Sequence, residues 1–170
     1  LSGQGSGDVL DQKIQLFCSA YTPADDASIP LGRIDPVEGT PMDLRQPAPI
    51  GARIDEDFRQ LVWGHGYDHN FVVDGQPGVM RPVAWACSGV TGVVMEVETT
   101  SPGVQFYTAN FVEDGRRGKG GARYGFRHGF CLETQHFPDT PNQSAFPSCT
   151  LRAGKQYDQT TRFRFSRRER

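Results

Sequence analysis

One carboxylate lies inside an apolar, strand-like stretch of this chain, and it is the first residue that suggests chemistry. Residues 130–135 read Phe-Cys-Leu-Glu-Thr-Gln, with Glu133 near the centre. Alternate side chains of a strand point to opposite faces, so Glu133 shares a polar face with Cys131 and Gln135, behind which lies an apolar face. A carboxylate that loses hydration in such surroundings has a raised pKa, which suits a general base near neutral pH. A surface glutamate, or one paired with an arginine, is the alternative interpretation.

Two further segments place polar side chains on common faces. In Tyr-Asp-His-Asn-Phe, Asp68 shares a face with Asn70, although both residue types are poor strand formers. In Val-Gln-Phe-Tyr, Gln105 shares a face with Tyr107. A carboxylate, an amide and an aromatic ring on neighbouring strands suit a sugar, because polar groups bind its hydroxyls and a ring packs against the apolar side of a pyranose. A turn-capping Asp68 and an edge-strand Gln105 are the alternatives.

Extended segments separated by turns rich in Gly, Pro and Asp recur along the chain and predict an all-β fold, an antiparallel β-sandwich or barrel. A short helix within 55–62 is the only one expected, because Phe58, Leu61 and Val62 are spaced for one face and acidic residues would suit its first turn. No repeat or linker divides the chain, so one domain over 1–170 is expected. The predicted strands are 12–18, 67–73, 79–86, 93–99, 104–109, 124–135, 149–152 and 160–166.

Charge and hydropathy exclude several classes of partner. The chain has 18 Lys and Arg against 20 Asp and Glu, so no basic field attracts nucleic acid or an anionic membrane. No apolar run approaches the roughly 18 residues of a membrane span, and the first residues lack the pattern of a signal peptide. A cytoplasmic protein is therefore expected. The arginines of the tail are interpreted as a solvated terminus rather than a docking patch: Arg162, Arg164, Arg167, Arg168 and Arg170.

The cysteines suggest neither a metal site nor a redox motif. Cys18, Cys87, Cys131 and Cys149 form no close pairs along the sequence. We expect buried free thiols and no zinc site.

Several long motifs, found in order along the chain, resemble those of the aldose 1-epimerases, or galactose mutarotases. Motifs of this length are more specific than one short pattern, and they extend over nearly the whole chain. The resemblance implies a galactose mutarotase-like supersandwich of antiparallel strands. The matching stretches are 21–23, 39–45, 67–71, 95–111, 129–139 and 157–161.

The resemblance also implies a reaction, the interconversion of the α and β anomers of free aldoses such as galactose and glucose, without cofactor or metal. In the family, the Glu of Leu-Glu-Thr-Gln takes the proton from the C1 hydroxyl, and Glu133 stands at that position. The Asp of Tyr-Asp-His-Asn binds sugar hydroxyls and matches Asp68. The Gln of Pro-Gly-Val-Gln-Phe-Tyr lies near the substrate and matches Gln105.

The family's acid is a His that directly precedes the type of segment that opens this chain, and a second His and an Arg lie further upstream. The chain is therefore expected to lack the N-terminal strands, to need that N-terminal segment as a partner, and to be inactive alone. We expect His65, His69, His128 and His136 to be structural or solvent-facing rather than catalytic. A non-catalytic sugar-binding β-sandwich and an inactive truncated remnant are the alternative functions.

Overall fold

Alternating apolar and polar residues sort the side chains of this chain onto the inner and outer faces of two β-sheets. The computed structural model describes residues 1–168 and has two antiparallel sheets of five strands each and a two-stranded hairpin. The predicted all-β sandwich is confirmed. The strands are β1 Lys13–Leu16, β2 Cys18–Thr22, β3 Asp35–Pro36, β4 Ala48–Pro49, β5 Asp68–Val73, β6 Arg81–Cys87, β7 Val93–Thr99, β8 Gly103–Tyr107, β9 Arg116–Arg117, β10 Arg123–Tyr124, β11 Cys131–Gln135 and β12 Thr161–Arg167.

The strand orders define two sheets, which we call front and back. The front sheet has the order β11-β8-β5-β2-β3, and the back sheet has the order β12-β7-β6-β1-β4. The chain passes from the back sheet to the front sheet between β1 and β2, at the partly exposed Phe17. The predicted single strand over 12–18 is therefore two strands, because the chain changes sheets there.

One apolar core lies between the inner faces of the sheets. Phe71 and Phe106 reach it from the front sheet, and Ile14 and Val97 reach it from the back sheet. All four are at most 1% exposed. Phe71 and Phe106 lie on the adjacent strands β5 and β8, and only β6 separates the strands of Ile14 and Val97. Burying this face therefore holds the central strands in register.

The helix lies later in the sequence than predicted. Helix α1 covers Arg59–Gly64, and the acidic residues before it are used elsewhere. Asp55 accepts two bonds from Arg127, which is far away in sequence, and Glu56 pairs with Arg53. The remaining helical turns are short 3-10 segments at Ile50–Ala52, Lys119–Gly121 and Thr140–Asn142.

Two further strand predictions are wrong. The segment 149–152 is fully exposed and pairs with no described strand. Its alternating residues therefore do not form part of a sheet. The segment 124–135 is not one strand, because a turn with Arg127 in a left-handed conformation separates β10 from β11.

Two other expectations are corrected in part. Cys18 and Cys87 are buried free thiols, whereas Cys131 is half-buried and Cys149 is exposed. Arg162 and Arg164 belong to β12 and pair with Glu98 instead of forming a loose tail, while Arg170 lies outside the described residues. Between residues 1 and 168, no helix has the length and apolar character needed to cross a bilayer.

Candidate active site

Strand register brings the three predicted site residues together on the outer face of the front sheet. Gln105 of β8 lies opposite Asn70 of β5 on one side and opposite Glu133 of β11 on the other. Asp68 lies two residues before Asn70 on β5, opposite Tyr107. Directly opposite side chains in an antiparallel pair share a face, and so do residues two apart on one strand. The four side chains therefore lie on one surface.

Hydrogen bonds connect most of these groups. Gln105 Nε2 donates to Asp68 Oδ1 at 2.7 Å. Gln135 Nε2 donates to Gln105 Oε1 and to Asn70 Oδ1, each at 3.2 Å. An ionised carboxylate only accepts, so the bond to Asp68 requires the Gln105 amide to direct its nitrogen there and its oxygen towards Gln135. The network thereby holds Gln105 in one orientation.

Gln135 is the member of this network to which no role was assigned from sequence. Its position on the polar face with Glu133 was evident, but its reach to Asn70 and Gln105 was not. Gly103 makes that reach possible, since it lies opposite Gln135 in the sheet. A Cβ at Gly103 would lie 2.9 Å from the Phe137 ring and would also collide with Asn70 Oδ1. A glycine inside a strand, directly beside polar side chains, is the signal that could have indicated this crowding.

An open cleft of about 390 Å³ lies over these residues, within the size range of ligand sites. Tyr107 and Phe111 form one wall with rings only 13° from parallel and centroids 6.3 Å apart. The Tyr107 hydroxyl accepts a bond from the Phe111 backbone N–H at 3.1 Å, which holds the two residues together. The cleft therefore combines polar groups with an aromatic wall. Its lining residues are Ser28, Asp68, Gln105, Tyr107, Phe111, Glu133, Gln135 and Pro138.

Burial and the charge of Glu133 shift the pKa values of two neighbouring groups, Asp68 and Cys131. Burial raises the pKa of Asp68, the bond from Gln105 opposes this, and the charge of Glu133 raises the pKa further. Burial also raises the pKa of the Cys131 thiol, and the hydrogen-bonded charge of Glu133 adds to that effect. A neutral thiol can donate a hydrogen bond to the side chain of Glu133.

The expectation that Glu133 is dehydrated among apolar neighbours is wrong for these residues. Its side chain is exposed, whereas Leu132 on the opposite face is buried. The reason is topological: β11 is the last strand of the front sheet, so no described strand pairs with its free edge. A ligand can therefore approach Glu133 from the free edge of β11.

The histidines occupy other places. His69 is 4% exposed on the inner face, where its Nδ1 accepts the Asp68 backbone N–H at 3.1 Å and burial lowers its pKa to about 4. His65 ends α1 in a left-handed conformation, and His128 is exposed. His136 follows β11 and has a buried Nδ1 without a partner in the described part of the chain. Across residues 1–168, none of them lines the cleft.

Comparison with known proteins identifies one family over nearly the whole chain. The family model described as Aldose 1-epimerase matches residues 1–164. The chain is 44% identical to the galactose mutarotase of Rattus norvegicus, over 98% of this chain and 47% of the rat protein. It is 32% identical to the aldose 1-epimerase of Escherichia coli, over 97% of this chain and 47% of the bacterial protein.

A solved structure shows the same fold. The crystal structure of the GalM/aldose epimerase homologue from C. elegans matches with a TM-score of 0.82 and 24% identity, and the match covers 96% of this chain and 48% of that one. The chain spans about half the length of the relatives it matches. Since the family model covers nearly all of it, the chain belongs to the aldose 1-epimerase family.

Proposed function

We propose that this chain supplies the sugar-binding floor and the catalytic base of an aldose 1-epimerase that interconverts the α and β anomers of free hexoses such as galactose and glucose. One observation carries the proposal. Asp68, Gln105 and the exposed Glu133 lie on three adjacent strands under one cleft, and Gln105 donates a hydrogen bond to Asp68. Galactose mutarotase and aldose 1-epimerase are the names of the relatives.

Glu133 takes the proton from the C1 hydroxyl while the bond between C1 and the ring oxygen breaks. An acid protonates the ring oxygen at the same time, which gives the open-chain aldehyde. After rotation about C1–C2, the conjugate base of that acid removes the proton from the former ring hydroxyl, which attacks the other face of C1. Glu133 then returns its proton to the carbonyl oxygen. No atom is gained or lost, and the reaction needs neither a metal nor a cofactor.

Asp68 and Gln105 hold the sugar in this scheme. Asp68 uses Oδ1 for Gln105, so Oδ2 can accept a sugar hydroxyl. Gln105 keeps a second N–H for the ligand, and its fixed orientation limits the entropy lost on binding. The rings of Tyr107 and Phe111 would pack against the apolar side of the pyranose.

The acid is assigned to another polypeptide segment. No histidine lines the cleft within residues 1–168, and the other cleft carboxylate, Asp68, is hydrogen-bonded to Gln105. We therefore propose that the N-terminal segment implied by the family resemblance brings the acid to the open side of Glu133. The chain alone would be catalytically silent. We expect the complete protein to be cytoplasmic and to bind neither nucleic acid nor membranes.

A non-catalytic sugar-binding sandwich is the second candidate. The observation that favours it is the exposure of Glu133, because a carboxylate without an acid facing it can accept hydrogen bonds without opening a ring. An inactive remnant is the third possibility. It predicts neither sugar binding nor cooperative unfolding.

Polarimetry on three samples separates these functions. The samples are the 170-residue chain, the part of the rat relative that it does not match, and an equimolar mixture of the two. We expect fresh α-D-galactose to approach equilibrium at the spontaneous rate with either piece and faster with the mixture. If the mixture binds galactose but does not accelerate mutarotation, the non-catalytic sugar-binding sandwich is the function that remains. Full activity of the chain alone would contradict the assignment of the acid and return the search to His65, His69, His128 and His136.

A further inference from the structure

A row of directly opposite residues crosses the front sheet from Glu133 to the end of β2. Glu133 of β11 lies opposite Gln105 of β8. Gln105 lies opposite Asn70 of β5, and Asn70 lies opposite Thr22 of β2. Neighbouring strands lie about 4.8 Å apart, so β2 runs roughly 14 Å from β11. The chain that follows Thr22 therefore leaves the sheet on the side remote from the proposed base.

The loop of residues 23–31 brings a side chain back from that remote side to the cleft. The backbone N–H of Asp25 donates to the Ile29 carbonyl, and Asp25 Oδ1 accepts the Ile29 N–H, both at 2.9 Å. These two bonds hold the loop in a tight turn. Ser28 lies in this turn and is exposed, and it lines the same cleft as Glu133. The cleft is thus bounded by Glu133 at one edge and by Ser28 at the other.

Both the backbone and the side chain of Ser28 are unusual. Its φ of 64° lies in the left-handed region, which few residues other than glycine adopt. Such conformations cluster at ligand sites. Its backbone N–H donates to the Asp25 carbonyl at 3.1 Å, whereas its hydroxyl forms no hydrogen bond within residues 1–168. A hydroxyl can both donate and accept, so this group is available to a sugar in the cleft.

A buried glutamine anchors the base of the loop. Gln60 of α1 is 6% exposed. Its Oε1 accepts the Ala24 backbone N–H at 2.9 Å, and its Nε2 donates to the Ala24 carbonyl at 2.8 Å. Two bonds to one backbone residue fix its orientation as well as its distance, and breaking them would leave buried polar groups without partners. The helix therefore sets where the loop, and with it Ser28, stands over the sheet.

We propose that Ser28 binds the C4 hydroxyl of the hexose and that Gln60 positions Ser28, so that this loop sets the preference of the site between galactose and glucose. The inference rests on the proposed function, because that function places C1 at Glu133. C4 is the ring atom opposite C1, and Ser28 enters the cleft from the side opposite Glu133. Galactose and glucose differ only in the configuration of C4.

A matched pair of sugars tests the contact. The ¹⁵N-labelled chain is complexed with the part of the rat relative that it does not match, and titrated with galactose or with 4-deoxygalactose, which lacks only the C4 hydroxyl. We expect galactose to bind more tightly, on the order of fivefold for one hydrogen bond. Ser28→Ala should remove most of this preference. Ser166→Ala, which alters an exposed serine on β12 of the back sheet, should retain it.

Gln60→Met tests the positioning role. It preserves the length of the side chain but removes both bonds to Ala24. We expect it to reduce the preference for galactose over 4-deoxygalactose, and to raise the KM for galactose more than it lowers kcat. The double variant with Ser28→Ala should lose no more of the preference than Ser28→Ala alone. An undiminished preference in Gln60→Met would exclude a positioning role. Ser28 is exposed, so Ser28→Ala tests the contact even if Gln60→Met lowers stability.

The outcomes separate this inference from the proposed function. If the complex binds galactose and accelerates mutarotation, but Ser28→Ala keeps the full preference for the C4 hydroxyl, the inference is overturned and the function stands. If Ser28→Ala loses the preference in a complex that does not accelerate mutarotation, the catalytic function is contradicted and the contact stands. A complex that binds neither sugar would contradict both.

Discussion

The two faces of the front sheet use adjacent residues of the same strands for opposite purposes. On the inner face His69, Phe71 and Phe106 are buried, and the histidine is held neutral by burial. On the outer face Asp68 and Gln105 are joined by a hydrogen bond under an open cleft. Asp68 and His69 are neighbours in sequence, yet strand alternation separates their environments completely. Changes on the outer face should therefore alter sugar chemistry, and changes on the inner face should alter stability.

Glu133→Gln should produce the largest effect on the outer face. Removing the base should lower turnover by on the order of 10²-fold or more in the complemented protein. Fold stability should be nearly unchanged because the side chain is exposed. The comparison is polarimetry and urea unfolding of Glu133→Gln against Glu96→Gln, an exposed strand glutamate of the back sheet. An unchanged mutarotation rate in Glu133→Gln would end its assignment as the base.

On the inner face, His69 should make stability depend on pH. Its pKa falls from the usual 6.5 to about 4 in the folded chain, so the unfolded chain binds a proton over this range and the folded chain does not. Stability should decrease as the pH falls through that window, by on the order of 3 kcal/mol at about 1.4 kcal/mol per pH unit.

The variant His69→Phe should lose this part of the pH dependence, while the exposed His128→Phe should retain it. Urea midpoints measured between neutral and acidic pH provide the test. Carboxylates whose pKa is lowered by arginines, such as Asp43 and Asp55, also reduce stability in acid, so the difference between variant and wild type is the relevant quantity. Parallel curves for wild type and His69→Phe would contradict the neutral, buried state of His69.

Asp68→Ala should weaken sugar binding by roughly 1–3 kcal/mol, because it removes a hydroxyl acceptor and leaves the Gln105 N–H without a partner. Fold stability should change less, since removing the half-buried carboxylate also relieves its desolvation and its repulsion from Glu133. Calorimetric titration with galactose measures the loss. Asp57→Ala, which alters an exposed aspartate before α1, is the control. Equal affinities in Asp68→Ala and wild type would return Asp68 to a structural role.

Gln135→Met should have the smallest effect of the outer-face changes. It preserves the length of the side chain but removes the donor to Gln105 Oε1 and Asn70 Oδ1, at a cost of about 0.5–1.5 kcal/mol in fold stability for each bond lost. Galactose affinity should fall less than in Asp68→Ala, because only the orientation of Gln105 is released. The side-chain amide signals of Gln105 should broaden or move in the NMR spectrum. Gln15→Met, which removes a bond to the Arg45 carbonyl in the back sheet, should leave those signals unchanged. A Gln105 amide unaffected by Gln135→Met would show that Gln135 does not position it.

Local alternation was sufficient to assign side chains to faces but not to place strands beside one another. The pattern around Glu133 correctly grouped it with Gln135, and the pattern around Asp68 correctly separated it from His69. The bond between Asp68 and Gln105 depends on β8 lying next to β5, and sequence alternation contains no information about that neighbour.

The errors have the same origin in long-range contacts. The exposure of Glu133 follows from β11 being an edge strand, which the residues around it do not determine. The helix begins at Arg59 rather than earlier, and Asp55 pairs instead with Arg127, a contact between residues distant in sequence. The roles of Glu133, Asp68 and Gln105 in catalysis and binding stay predictions.

The most direct test of the account is to observe where galactose binds. The 170-residue chain is labelled with ¹⁵N, complexed with the unlabelled remainder of the rat relative, and titrated with galactose. The account predicts that the largest shift changes fall on the outer face of the front sheet, at Asp68, Gln105 and Glu133. Changes that instead cluster at the cavity of about 400 Å³ on the back sheet, around Trp85 and Glu96, would contradict it.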